Sequence, residues 1–245
     1  MRTTLIDYTG HPDRERAATL LMFTKGTRLG LDPQRLDAIA AMPAREKTKE
    51  LEYMASTIRS SWEFADLTFL VEDCTRAFAQ QLTRTRTASF AMQSLRVVDA
   101  SHLPVKNPYS ATVQPDLHAE FARFSAEILR TYSRLVGMGS SREDARGILP
   151  LNTATSLVMK INLRNWVALV TARSSARVQG EYAEFVEQMR GSVQATWPWV
   201  ETFLRPRHET ALRLLQKVVD SGDLRVAEGA EWDIAKAADL IREGA

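Results

Sequence analysis

The chain has 245 residues, a formal net charge of +2, 44% hydrophobic and 25% charged residues, which is the balance of an ordinary globular protein and excludes a disordered or membrane-embedded one. No apolar run approaches the ~20 residues needed to span a bilayer, and no apolar stretch follows Met1-Arg2-Thr3-Thr4. Neither membrane association nor a signal peptide is expected, so the location is read as cytoplasmic. A single cysteine, Cys74, rules out an internal disulfide and reads as a small core residue, while four scattered histidines give no metal-ligand spacing.

In chain order, Thr3 to Tyr8 predicts a short strand, Thr9-Gly10-His11-Pro12 a turn, and Pro12-Asp13 the start of a helix with Ala17, Leu20, Leu21 and Thr24 on its apolar face. A second helix is expected over Ala44 to Arg59. Phe64 to Val71, rich in β-branched and aromatic residues, predicts a strand, with helix resuming over Arg76 to Leu82. Asp116 to Val136 carries the clearest helical periodicity, with Phe121, Phe124, Ile128, Tyr132 and Leu135 expected in the core. Gly137 and Gly139 end that helix, and Ser140 with Glu143 forms a capping box for a short helix running to Leu149-Pro150.

Thr153 to Gln188 is read as one or two long helices broken only at Gly180, and Glu209 to Asp220 and Glu231 to Glu243 as further helices. The fold class expected is α+β, mostly helical, with a modest antiparallel sheet. One domain over residues 1–245 is expected, with a helical C-terminal extension from about residue 200.

The cations are unevenly placed. From Cys74 to Val98 there is no acidic residue but there are Arg76, Arg84, Arg86 and Arg96; Ala145 to Gly180 is likewise free of acids and carries Arg146, Lys160, Arg164, Arg173 and Arg177. Two such windows in a balanced chain suggest a concave anion site built from both, with phosphate-bearing ligands in view. The small net charge argues against general nucleic-acid binding. Within the first window, Arg84 and Arg86, then Ser94 and Arg96, are spaced so that an extended backbone would present guanidinium forks and a hydroxyl on one face. A solvated basic strand is the alternative, and spacing alone does not choose.

The same residues resemble the signature of the flavin-dependent thymidylate synthase family: R-H-R, two residues, S, one residue, N, two residues, S, one residue, R. Arg84, Arg86, Ser89, Ser94 and Arg96 match it in register, and Gln81 stands three residues before it. Ser60-Ser61-Trp62-Glu63 upstream, Ala145-Arg146-Gly147-Ile148-Leu149-Pro150-Leu151, Asn162-Leu163-Arg164, Arg173 and Ala176 to Glu181 are similar to further family segments, so the likeness covers roughly residues 3 to 200.

The resemblance implies that Gln81, Arg84, Ser94, Arg96, Arg146 and Arg173 hold a pyrimidine deoxynucleotide monophosphate. Arg96 and Arg146 would meet the phosphate, and Ser94 and Arg173 would serve the chemistry. Ser60, Glu63, Arg84, Arg86, Asn162 and Arg164 would contact FAD, with methylenetetrahydrofolate as co-substrate and NADPH as reductant. A homotetramer with no catalytic cysteine and no metal is implied. Asn162 and Arg173, eleven residues apart, would lie about 20° apart on an ideal helix and face one pocket. Arg76, Lys160 and Arg177 are assigned solvated or intersubunit roles.

Departures from the family fall at functional positions. Thr85 replaces the signature histidine and Ala91 its asparagine, Val97 stands for a tyrosine, and Ile58, Ala168 and Arg177 for histidines. The default expectation is conversion of dUMP to dTMP. Hydroxymethylation of dUMP or dCMP in a modified-DNA pathway is the alternative within the same chemistry. A catalytically silent nucleotide-binding paralogue is the alternative outside it.

Overall fold

The computed structural model describes residues 1–28, 32–173 and 180–204. Strand β1 (Arg2–Tyr8) turns at Gly10, whose φ of +93° would place a Cβ 2.2 Å from the Arg16 Cβ, so the close approach requires glycine. Helices α1 (Arg16–Lys25), α2 (Arg35–Ala40) and α3 (Ala44–Thr57) follow. The first begins three residues beyond the expected Asp13, because residues 10–15 are spent in turns, and α2 was not foreseen.

A 3-10 turn over Arg59–Phe64 leads into β2 (Asp66–Thr75), at whose end the Thr75 hydroxyl caps α4 (Arg76–Leu82) by accepting from the Phe78 amide at 3.0 Å. Strand β3 (Ser89–Met92) is short. Helix α5 (Pro115–Gly137) starts on a proline and ends before Gly139, whose φ is +96°. The cap of α6 (Arg142–Ala145) is Ser141, which accepts from the Asp144 amide at 3.1 Å; the expected Ser140–Glu143 box is therefore displaced by one residue.

The largest correction concerns residues 153–162, expected as helix. They form strand β4 (Ala154–Asn162), followed by α7 (Leu163–Arg173), α8 (Gly180–Thr196) and α9 (Glu201–Leu204). The four strands run in the order β1-β2-β4-β3, all neighbours antiparallel, so β4 is a central strand paired on both sides. Leu67, Phe69 and Val71 of β2 and Leu157, Met159 and Ile161 of β4 turn inward at alternate positions and are buried. Helices α1, α7 and α8 contribute Leu21, Trp166, Val170, Phe185 and Met189 to the same core. Burial of each such large side chain contributes about 1.5–3 kcal/mol. The opposite face of these strands carries Asp66, Thr68, Ser156, Val158 and Lys160, half-buried or exposed.

Helix α5 departs from expectation in a different way. Of its apolar stripe only Tyr132 is buried, with its hydroxyl accepting from the Ala100 amide at 3.3 Å. Phe121, Ile128 and Leu135 are half-buried, while Leu117 and Phe124 remain 50% and 59% exposed. The stripe is real but the described residues do not cover it. No helix among the described residues is long and apolar enough to cross a membrane. The helices expected over Glu209–Asp220 and Glu231–Glu243, and Arg177, lie outside the described residues.

Candidate functional site

The expected extended backbone over residues 84–96 exists only from Ser89 to Met92, where β3 pairs with Lys160 to Leu157 of β4. Turns lie on both sides, and they send the two halves of the motif to opposite ends of β4.

At one end, the Gln93 amide donates to the Ser156 carbonyl at 2.9 Å, and the chain then folds back through amide bonds from Val97 and Val98 to the Ser94 carbonyl. The Ser94 hydroxyl accepts from the Arg96 amide at 3.3 Å. The Arg96 guanidinium grips Glu143 with both forks, Nε to Oε1 and Nη2 to Oε2, each at 2.8 Å. Arg146 donates to the Glu143 carbonyl oxygen at 3.2 Å and keeps its Nη2 3.9 Å from the Glu143 carboxylate. Arg142 donates to the Val97 carbonyl at 2.7 Å, tying α6 to this turn. Arg96 and Arg146, expected to share a phosphate, thus share one carboxylate.

At the other end, Asn162 closes β4 and caps α7, its Oδ1 accepting from the Asn165 amide at 3.0 Å. Arg164 pairs with Glu63 at 2.5 Å, and the Asn165 side chain donates to the Thr87 carbonyl at 3.2 Å, fastening the Arg84–Ala88 turn to α7. That turn is closed by amide bonds from Thr85 to the Leu82 carbonyl and from Ala88 to the Thr85 carbonyl. Arg84 and Arg86 are exposed on it, and among the described residues neither has a carboxylate within ion-pair distance. Ser60 is exposed in the 3-10 turn just ahead of Glu63, and Gln81 is exposed near the end of α4. Lys160 pairs with Asp66 at 2.8 Å, and that bond holds its ammonium pKa above the usual value.

The two ends are well separated within one chain: from Ser156 to Asn162 a strand advances about 20 Å. Arg173 belongs to neither end by helical phase, because Asn162 ends a strand and the helix begins only at Leu163. Instead α7 carries Arg173 back along the sheet, and its guanidinium carbon lies 4.9 Å above the ring of buried Tyr182. Tyr182 packs edge-on against Phe78 of α4 at 5.3 Å, and neighbouring Glu181 accepts from the Thr75 amide and hydroxyl at 2.8 and 2.6 Å. The start of α8 is thereby clamped to the start of α4, beside which Arg173 is held.

Cys74 is buried with its thiol toward the Thr155 carbonyl, and burial first, then the Glu181 charge, push its pKa up to about 11. It stays a protonated thiol at neutral pH. Asn165 and Tyr182 were not singled out from sequence, and Glu143 only as the capping partner of Ser140. Only Glu143 carried a signal, its three-residue spacing from Arg146 on a short helical segment.

A family model described as thymidylate synthase complementing protein matches residues 4–199. The chain belongs to that family. It is 32% identical over 135 residues to a flavin-dependent thymidylate synthase of Thermococcus onnurineus, covering 54% of this chain and 55% of the relative. With that of Nitratidesulfovibrio vulgaris the identity is 30% over 62% of this chain and 67% of the relative, and with that of Geobacter sulfurreducens 28% over 82% and 85%. The alignment with the Thermococcus onnurineus relative thus spans about half the length of each chain. The fold is similar to that of thymidylate synthase X from Helicobacter pylori, solved with FAD and dUMP, at a TM-score of 0.63 and 17% identity, over 84% of this chain and all of that one.

Proposed function

We propose that this chain transfers a one-carbon group to C5 of a pyrimidine deoxynucleotide monophosphate, with dUMP to dTMP as the reaction, using FAD, methylenetetrahydrofolate and NADPH. The observation that carries the reading is the pairing of an arginine-rich end, where Arg96 and Arg146 converge on one carboxylate, with a hydrogen-bonding end built from Glu63, Asn162 and Arg164. Family membership supplies the chemistry to which these two ends are suited.

At the first end a phosphate dianion would take the place of Glu143 on Arg96 and Arg146, with Ser94 beside it. Charge-assisted forked bonds of this kind are the strong class of hydrogen bond. Arg173, held over the Tyr182 ring, would face the pyrimidine and stabilise negative charge as it develops there, a role suited to a group that is always cationic. Gln81 and Arg84 complete the nucleotide set. The donor set at the second end fits FAD: Arg84 and Arg86 are exposed cations without carboxylate partners among the described residues, suited to a pyrophosphate, and Ser60, Glu63, Asn162 and Arg164 supply flanking polar contacts. When bound, the flavin would supply the reducing equivalents, with NADPH as their source, and the folate the carbon. No step requires Cys74.

Two ends about 20 Å apart in one chain do not form one pocket, so the reading includes a homotetramer in which they meet across subunits. The uncovered stripe of α5, with Leu117 and Phe124, supports this. A cytoplasmic setting goes with it, since the nucleotide and folate pools it would draw on are there.

Mass spectrometry of nucleotides formed from dUMP or dCMP with FAD, NADPH and methylenetetrahydrofolate tests the reading. A methyl gain on dUMP is expected. A hydroxymethyl product or a preference for dCMP would assign the sister reaction, to which the substitutions at Thr85, Ala91 and Ala168 would then belong. Nucleotide binding without any flavin binding would make the chain a silent paralogue.

A further inference from the structure

Asn165 has no role in the assignments above, yet it is joined to two separate groups of the residues assigned to the cofactor. It lies in the first turn of α7, half-buried, three residues after Asn162. Its backbone amide donates to the Asn162 Oδ1 at 3.0 Å. That bond commits the oxygen of the Asn162 carboxamide to the helix. The Nδ2 group, which has no acceptor among the described residues, is the part left to meet a ligand.

The side chain of Asn165 serves the other group. Its Nδ2 donates to the Thr87 carbonyl at 3.2 Å, across 78 residues of sequence. The amides of Arg84, Thr85 and Ala88 reach only the Gln81, Leu82 and Thr85 carbonyls, each three residues back, so these bonds fix the shape of the turn but not its place on the protein. From Arg84 to Thr87, the Asn165 bond is the one hydrogen bond from another element among the described residues. Arg84, Arg86 and Thr87 are exposed, so packing does not hold them either. Long guanidinium side chains on a loose turn lose conformational freedom when an anion binds, and a turn held in place beforehand reduces that cost.

We propose that Asn165 is a positioning residue of the cofactor end, acting through the Thr87 carbonyl to hold the turn that carries Arg86 in the place from which it meets the FAD pyrophosphate. The inference rests on the FAD reading above and deepens it with a residue outside the segments that carry the family resemblance. Asn165 itself touches no cofactor atom in this assignment.

The test combines hydrogen exchange of the FAD-free protein, FAD titration followed by flavin fluorescence, and thermal melting, on the full-length wild type, Asn165→Ala, Asn165→Asp and Arg86→Ala. Asn165→Ala removes the donor. It is expected to speed exchange at the Thr85 and Ala88 amides and to raise the FAD Kd, each about 3- to 10-fold, with exchange in α7 unchanged and Tm within about two degrees of wild type. Asn165→Asp keeps the shape of the side chain, removes the donor, and adds an acid to the first turn of α7, where it favours the helix. The same faster exchange at the turn is expected there with an equal or higher Tm. An unchanged FAD Kd in Asn165→Ala, alongside weakened binding in Arg86→Ala, would overturn the inference and leave the FAD reading standing. Weakened FAD binding with unchanged exchange at the turn would also overturn it, by making Asn165 a direct contact. Faster exchange throughout α7 with a lowered Tm would make Asn165 a structural residue and sink the proposal. Wild-type protein that binds no FAD would remove the reading and the inference together.

Discussion

The two ends of β4 differ in how their charges are satisfied. At the Asn162 end, Arg164 has Glu63 and Lys160 has Asp66, the polar groups of Asn162 and Asn165 are spent on capping and fastening, and Arg84 and Arg86 stand exposed on the neighbouring turn with no carboxylate within ion-pair distance among the described residues. At the Ser156 end, Arg96 and Arg146 divide one carboxylate. Both ends thus keep positive charge for an anion, the first on exposed guanidinium groups set beside paired residues and the second on guanidinium groups that converge on a single carboxylate. On the proposed reading, the first arrangement suits a cofactor with flanking polar contacts and the second a compact phosphate.

The sharpest way to break this division is at Arg173, which is held between the start of α4 and the start of α8. Arg173→Ala is expected to lower kcat about 100- to 1000-fold with little change in Tm, the usual scale for losing one charge-stabilising donor. Near-normal turnover would show that the guanidinium faces no reacting atom. Assembly comes next. Phe124→Glu, on the uncovered stripe of α5, is expected to leave a folded protein that elutes at smaller size and has lost most of its activity; an unchanged elution volume would separate that stripe from any subunit contact.

Smaller effects distinguish the two ends directly. Arg96→Ala is expected to raise the KM for dUMP about 10- to 100-fold while FAD stays bound, and Arg164→Ala to weaken FAD while dUMP binding holds. Equal effects of both changes on both ligands would erase the contrast. Least of all, Cys74→Ser is expected to keep turnover within about twofold while lowering Tm by a few degrees, because it places a more polar group at a buried site. Lost turnover with an unchanged Tm would give the thiol a chemical role.

Much of this was readable from the chain where local physics decides structure. The strand start near Asp66, helix α4 and nearly the whole of α5 follow from residue type and periodicity. Strand β4 did not, although Leu157, Met159 and Ile161 alternate. Leu, Met and Lys favour helix locally, and pairing with β2 and β3 overrides that preference through contacts about 65 to 96 residues away. The α5 stripe shows the converse limit: periodicity reveals an apolar face but not whether the same chain covers it. The charge windows located the cations, yet the splitting of Arg84–Arg96 between two ends depends on turns closed by backbone hydrogen bonds from Thr85, Ala88, Val97 and Val98.

The claim that unites these observations is that the two ends, apart in one chain, meet between chains. Variants Arg96→Glu and Arg164→Glu, each inactive alone, can be carried on differently tagged subunits, co-expressed, and purified through both tags. Restored activity in the mixed oligomers is expected, since some sites would then draw an intact phosphate end from one subunit and an intact cofactor end from another. Mixed oligomers as inactive as either parent would place both ends of each site in a single chain and contradict the account.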